Sequence, residues 1–153
     1  MRNISIFLLF AGFAVLIQSS PEDGAVKIAN EILKKMDVAL ETKDFKEFLA
    51  IHATNFHFKF CKVTGNSVED LKKILETDPN MSESVKSKHN IVAGEGSSGV
   101  TKVSADTWKF GYQEALLHEN QATFVTTGSI NFVVHGSSYK VVSAIEDCPK
   151  KAN

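Results

Sequence analysis

The chain has 153 residues, a formal net charge of −1 at pH 7 and 43% hydrophobic residues. The balanced charge argues against a dedicated nucleic-acid-binding protein, which would carry a basic stripe, and the apolar content argues against a disordered chain. The length suits a single domain that can build its own core.

The first 19 residues have the order of a secretory signal peptide. Arg2 gives a basic start, an apolar run extends from Ile4 to Ile17, and small or polar residues follow up to Ser20. The run is shorter than the roughly 20 residues that a spanning helix needs, although a membrane anchor or a buried helix is the alternative. We expect cleavage after residue 19, one mature domain over 20–153, and a secreted, extracellular protein without a membrane attachment.

The chain has two cysteines, Cys61 and Cys148. In an oxidising compartment two cysteines usually pair, and a bridge that closes so long a loop stabilises by roughly 4–5 kcal/mol at most. Two separate buried thiols are the alternative. Asn80 opens the sequon Asn80-Met81-Ser82 in a polar stretch, which predicts a glycoprotein modified at that residue.

Hydrophobic periodicity predicts three helices. The first has an apolar stripe and Ser20 or Asp23 as its cap. A short second helix ends near His52, and a third is opened by Ser67 and stopped by Asp78-Pro79-Asn80. The stripe of the first helix consists of Val26, Ala29, Leu33, Met36 and Leu40.

Alternation of apolar and polar residues predicts five strands. The first covers 56–61 and a weaker candidate covers 85–93. A long strand starts near Val100 and runs to Leu116, and the clearest alternation, over 122–134, follows a turn. A last strand covers 139–146 and closes the sheet. This order of elements is typical of an α+β domain.

This order resembles the nuclear transport factor 2-like superfamily, whose fold is a cystatin-like cone. The resemblance rests on Phe56-His57-Phe58-Lys59-Phe60 and on the two closing strands, 127–134 and 139–147, and it extends to the small secreted members found in nematodes. It implies three helices on a strongly bent, mostly antiparallel sheet whose first and last strands are neighbours. Cys61 and Cys148 would then lie at adjacent strand ends. The fold itself hosts many activities and implies none.

Catalytic and metal-binding motifs are weak. The segment 94–99 matches the dinucleotide fingerprint by letter, but strand residues follow it where a helix should begin. His57 and Cys61 are four residues apart on a strand, which separates them by roughly 13 Å. Relatives of the ketosteroid isomerase type carry an acid on the first strand, and 56–62 has none. We therefore predict no catalytic residue, no metal and no cofactor.

The aromatic residues suggest a binding pocket instead. Phe58, Trp108, Tyr112 and Phe124 share the inward parity of their strands, and we predict that they line an apolar pocket at the mouth of the cone. A plain hydrophobic core is the alternative. The leading hypothesis is a secreted, non-enzymatic protein that binds a small apolar ligand.

Two other functions stay open. One is a protein-interaction module or homodimer that uses the outer sheet face through Thr123, Val125, Thr127 and Val133. The other is a degenerate isomerase or hydrolase, which requires a cluster of acids or histidines with shifted pKa values in the pocket.

Overall fold

A computed structural model describes residues 20–92 and 98–152. The predicted signal peptide and most of the glycine-rich segment 94–99 lie outside these residues. The described parts of the chain form four helices and eight strands. The helices are α1 (Pro21–Thr42), α2 (Lys46–Ala50), α3 (Val68–Thr77) and α4 (Pro79–Ser82). The strands are β1 (His52–Phe60), β2 (Val63–Gly65), β3 (Ser84–Ile91), β4 (Val100–Lys102), β5 (Thr107–His118), β6 (Thr123–His135), β7 (Ser138–Glu146) and β8 (Lys150–Lys151).

The helices begin at side-chain caps that the sequence indicates. The Ser20 hydroxyl accepts from the Asp23 amide while the Asp23 carboxylate accepts from the Ser20 amide, which is a capping box. Ser67 caps α3 by accepting from the Asp70 amide. The helix count is four where three were predicted, because the Asp78 carboxylate accepts from the Asn80 amide and starts a new turn directly after α3.

The strands form one mixed, strongly curved sheet in the order β2-β1-β7-β6-β5-β3. β1 runs parallel to β7, and the other pairs are antiparallel. The predicted neighbourhood of first and last strands is confirmed, since Phe60 pairs with Glu146. The predicted disulfide is also present: Cys61 and Cys148 are bonded, with their Cα atoms 4.3 Å apart across a sequence separation of 87.

The predicted strand from Val100 to Leu116 is in fact two strands. β4 folds back on β5, so that Val100 pairs with Phe110, and the Val103 amide donates to the Thr107 carbonyl across the turn. The polar residues 104–106 supply this turn. The apolar–polar alternation does not reveal this turn, because the two strands of a hairpin present the same face to the core and the pattern continues across the turn.

β6 changes partner along its length. Residues 128–135 pair with β7, whereas Phe124 and Val125 pair with Lys151 and Lys150 of β8. The chain therefore leaves β7 after Glu146, passes through Cys148 and pairs again with β6 through β8. This connection carries Cys148 and Pro149.

α1 buries its stripe on the concave face of the sheet and packs mainly against β3. Phe56, Phe110 and Phe132 form the centre of the core beneath it. Among the residues the structure describes, no helix has the length and apolar content needed to cross a membrane.

Candidate functional site

A cavity of about 400 Å³, here called the site cavity, opens between the ends of β1 and β7 and the helices α3 and α4. One wall comes from α3 and α4, another from the turn after β1, and the disulfide closes the third. The floor comes from β5, β6 and β7. Its lining residues are Phe60, Cys61, Lys62, Val63, Ile74, Asp78, Asn80, Met81, Glu114, Leu116, Thr126, Glu146, Cys148 and Pro149.

Strand register places polar side chains in a row on the inner face. His89 of β3 pairs with Glu114 of β5, and Glu114 pairs with Thr126 of β6. Directly paired residues have side chains on the same face of a sheet. Glu114 is only 1% exposed, although it lines the site cavity.

A second row lies two residues along. Tyr112 pairs with Gly128, and Gly128 pairs with Glu146. A Cβ atom on Gly128 would lie 2.6 Å from the tip of the Tyr112 ring and 2.7 Å from the Ile145 carbonyl oxygen. The missing side chain lets the tyrosine lie across β6, where its hydroxyl donates to Glu146 Oε2 at 2.7 Å.

Behind Glu114 lies a buried array of three ionisable side chains, Asp37, His89 and Glu114. His89 Nδ1 is 2.7 Å from Asp37 Oδ1, and His89 Nε2 is 2.9 Å from Glu114 Oε1. The Ser87 hydroxyl also donates to Asp37 Oδ1. The two atoms of the His89–Glu114 contact are at ion-pair distance, but the angles are not those of a hydrogen bond. His89 Nε2 and Glu114 Oε1 therefore have no well-formed hydrogen bond.

The surroundings of the buried array shift the pKa values of its members. Burial alone would lower the pKa of His89, but the carboxylates of Asp37 and Glu114 outweigh it and raise that pKa to about 9. Burial alone would raise the pKa of Asp37, but hydrogen bonds from His89 and Ser87 outweigh burial and hold that pKa below its ordinary value. His89 is therefore an imidazolium at neutral pH, held between two carboxylates.

Glu146 behaves in the opposite way. Burial, reinforced by the negative charge of Glu114, raises its pKa to about 8 against the opposing effect of the Tyr112 hydrogen bond. Burial and the neighbouring glutamates also raise the pKa of Tyr112 well above its ordinary value. The floor of the site cavity thus combines a carboxylic acid that holds its proton at pH 7 with an array that carries charge.

The four predicted ligand-binding residues lie at separate places around the sheet. Phe58 is buried with its ring 4.6 Å from that of Phe60. Trp108 lines a different cavity, of about 470 Å³, beside the start of α1, and the Phe124 ring lies 4.6 Å from that of His118. Tyr112 is one hydrogen bond away from the site cavity through Glu146. Ligand binding by these residues stays a prediction.

The sequence analysis missed Asp37, His89, Glu114 and Glu146. One signal was available for Glu114, because it shares the inward parity of Phe110, Tyr112 and Leu116. A charged residue at a core parity is rarely buried without a partner or a role. Within 20–92 and 98–152, no three side chains of the metal-binding types are placed to hold a metal ion.

Solved structures share this fold. An NTF-2 like protein of unknown function from Shewanella oneidensis matches at a TM-score of 0.64 and 11% identity, covering 84% of this chain and 99% of that one. An NTF2-like protein from Anabaena variabilis matches at 0.56 and 18% identity, covering 90% and 96%. A hexachlorocyclohexane dehydrochlorinase (LinA type 2) matches at 0.63 and 9% identity, covering 88% and 96%.

No family model and no curated protein matches the sequence. At these identities the structural likeness shows the fold alone. The chain has the NTF2-like fold, in agreement with the resemblance seen in its sequence.

Proposed function

We propose that this chain is a secreted protein that binds a small, largely apolar molecule in the site cavity. The observation that carries the proposal is a cavity of about 400 Å³ whose walls are mostly apolar and whose floor holds the buried Glu114. An apolar pocket with a few convergent polar groups is the usual form of a small-molecule site. The signal-like residues 1–19 support secretion.

Two valines provide a matched test of this site. Val63 is 40% exposed and lines the site cavity, whereas Val85 is 41% exposed on β3 and does not line it. The neutral dye N-phenyl-1-naphthylamine fluoresces in apolar surroundings and reports binding by titration. We expect Val63→Trp to fill the cavity and weaken dye binding at least tenfold, while Val85→Trp binds like the parent protein. Equal binding by both variants, or no binding by the parent, would overturn the proposal.

A second candidate function is proton transfer on a bound molecule. It is favoured by the buried array, because a carboxylate at the cavity floor backed by an imidazolium is an arrangement that acid–base catalysis uses. Glu114 would accept a proton from the ligand and Glu146 would donate one. The test is a screen of small carbonyl compounds for hydrogen–deuterium exchange: Glu114→Gln should keep dye binding and lose exchange. Exchange that survives in this variant would contradict the role of Glu114.

Self-association through the outer sheet face remains the third candidate. Thr123, Val125 and Val133 are half-buried and Thr127 is exposed, so these side chains lie outside the closed core. Sedimentation equilibrium at high concentration tests this candidate. A dimer that Thr127→Arg dissociates would support it, and a monomer at every concentration would exclude it.

A further inference from the structure

The charges around the site cavity are unequal. Three carboxyl side chains line it, those of Asp78, Glu114 and Glu146, against a single Lys62. Lys62 is exposed, whereas Glu114 and Glu146 are buried. Water screens the exposed lysine, while the carboxyl groups of Glu114 and Glu146 lie at lower dielectric, where a polar or charged group has more effect. The floor of the cavity is therefore rich in buried acceptor oxygens, and Glu146 adds a negative charge to it when its proton leaves.

Glu114 has one charged neighbour, His89, and no well-formed hydrogen bond at its Oε1 atom. The side chain is 1% exposed, and Oε1 lies 2.9 Å from His89 Nε2. Glu146 receives one hydrogen bond, from Tyr112 to Oε2. A buried carboxylate without its full set of donors is costly. A ligand that brings donors and positive charge would remove this cost.

We propose that the site cavity binds a small organic cation, a protonated amine on an apolar body, with its ammonium group donating to Glu114 and Glu146. This inference rests on the proposed small-molecule function and names the ligand class. An ammonium group carries only donors, which matches two carboxyl groups at the floor. Phe60 and Leu116 line the same cavity and would contact the apolar body.

Binding of the cation is coupled to the proton on Glu146. The groups facing Glu146 are Tyr112 and Glu114 from β5, His89 from β3, Asp78 from the start of α4 and Lys62 from the turn after β1. With its pKa at about 8, Glu146 is mostly protonated at pH 7. An arriving ammonium favours the ionised carboxylate, so the proton leaves as the ligand binds. Affinity should rise with pH, by up to about tenfold per unit below pH 8.

Isothermal titration calorimetry with 2-phenylethylamine tests the inference. The matched probe is 2-phenylethanol, which has the same body and no charge. We expect the amine to bind at least tenfold more tightly at pH 7.5, and its affinity to rise between pH 6 and 8. Repeating the titration in buffers of different ionisation enthalpy should show release of up to one proton per ligand.

Variants assign the effect to residues. Glu114→Gln should reduce the preference for the amine at least tenfold, and Glu146→Gln should abolish proton release. Glu119→Gln is the control for lost negative charge, because Glu119 is exposed in the turn after β5 and does not line the cavity. Urea unfolding of each variant establishes that it is folded.

The outcomes separate this inference from the proposed function. If the neutral dye binds in the cavity but the amine binds no better than the alcohol, the cation inference is wrong and the small-molecule site stands. If the amine preference is unchanged in Glu114→Gln, the cation binds elsewhere and the inference is wrong as well. If neither probe nor dye binds the parent protein, both proposals fail.

Discussion

Raising the pH from 6.5 to 8 should destabilise this protein, because His89 and Glu146 hold protons in the folded state that the same groups release in the unfolded chain. His89 has a folded pKa of about 9 against 6.5 when unfolded, so its stabilising contribution is complete below pH 6.5 and is lost as the pH rises through 9. Glu146 has a folded pKa of about 8 against 4.5, so between those values the folded state again binds the extra proton.

The magnitude follows from proton linkage. Each proton that only the folded state holds lowers the free energy of unfolding by about 1.4 kcal/mol per pH unit. With two such protons over 1.5 pH units, the expected loss is on the order of 4 kcal/mol, as an upper figure. That is a large share of the 5–15 kcal/mol that is typical of a small domain. His52 works slightly the other way: burial lowers its folded pKa to about 4, so at pH 6.5 only the unfolded chain holds about half a proton on it, which offsets roughly 0.4 kcal/mol of the loss.

Urea unfolding at constant ionic strength, in steps from pH 6.5 to 8, measures this effect. Glu146→Gln should roughly halve the slope of unfolding free energy against pH, since the amide oxygen can still accept from Tyr112 while its titration is removed. His89→Gln should remove the other half. A midpoint that stays constant or rises with pH in the parent protein, with an unchanged denaturant slope, would refute the reasoning about both buried groups.

Three further changes have definite expected outcomes. Gly128→Ala should lower the free energy of unfolding by about 1–3 kcal/mol, because it forces a Cβ atom into the Tyr112 ring. The control is Gly24→Ala on α1, whose Cβ atom would meet nothing within 4 Å and which should be neutral or stabilise by up to about 1 kcal/mol. Urea midpoints that fall equally in the two variants would contradict this packing. Replacing Cys61 and Cys148 by serine should lower the free energy of unfolding by up to roughly 4–5 kcal/mol, and thiol titration of the unreduced parent protein should find no free thiol. Expression through a eukaryotic secretory pathway should yield a chain that starts at residue 20 and carries a glycan, and Asn80→Gln should remove the glycan mass; an unmodified mass in the parent chain would count against the sequon.

The sequence by itself determined the features that depend on near neighbours. Ser20 and Ser67 could be identified as caps because a cap involves residues only three apart. The stripe of α1 and the alternation along β6 could be read for the same reason, and together they were enough to indicate an NTF2-like cone. The pairing of Cys61 with Cys148 could be predicted because the chain has no other cysteine. The break between β4 and β5 was missed because a hairpin preserves alternation.

Only the tertiary structure decided the site. Asp37 and His89 are 52 residues apart, and they meet because α1 crosses β3 at one register. Glu114 joins them because pairing of β3 with β5 places it opposite His89, and Tyr112 reaches Glu146 because a glycine lies between them. Which charges share a buried volume depends on register and helix placement over the whole chain, whereas periodicity reports only the local face on which each residue lies.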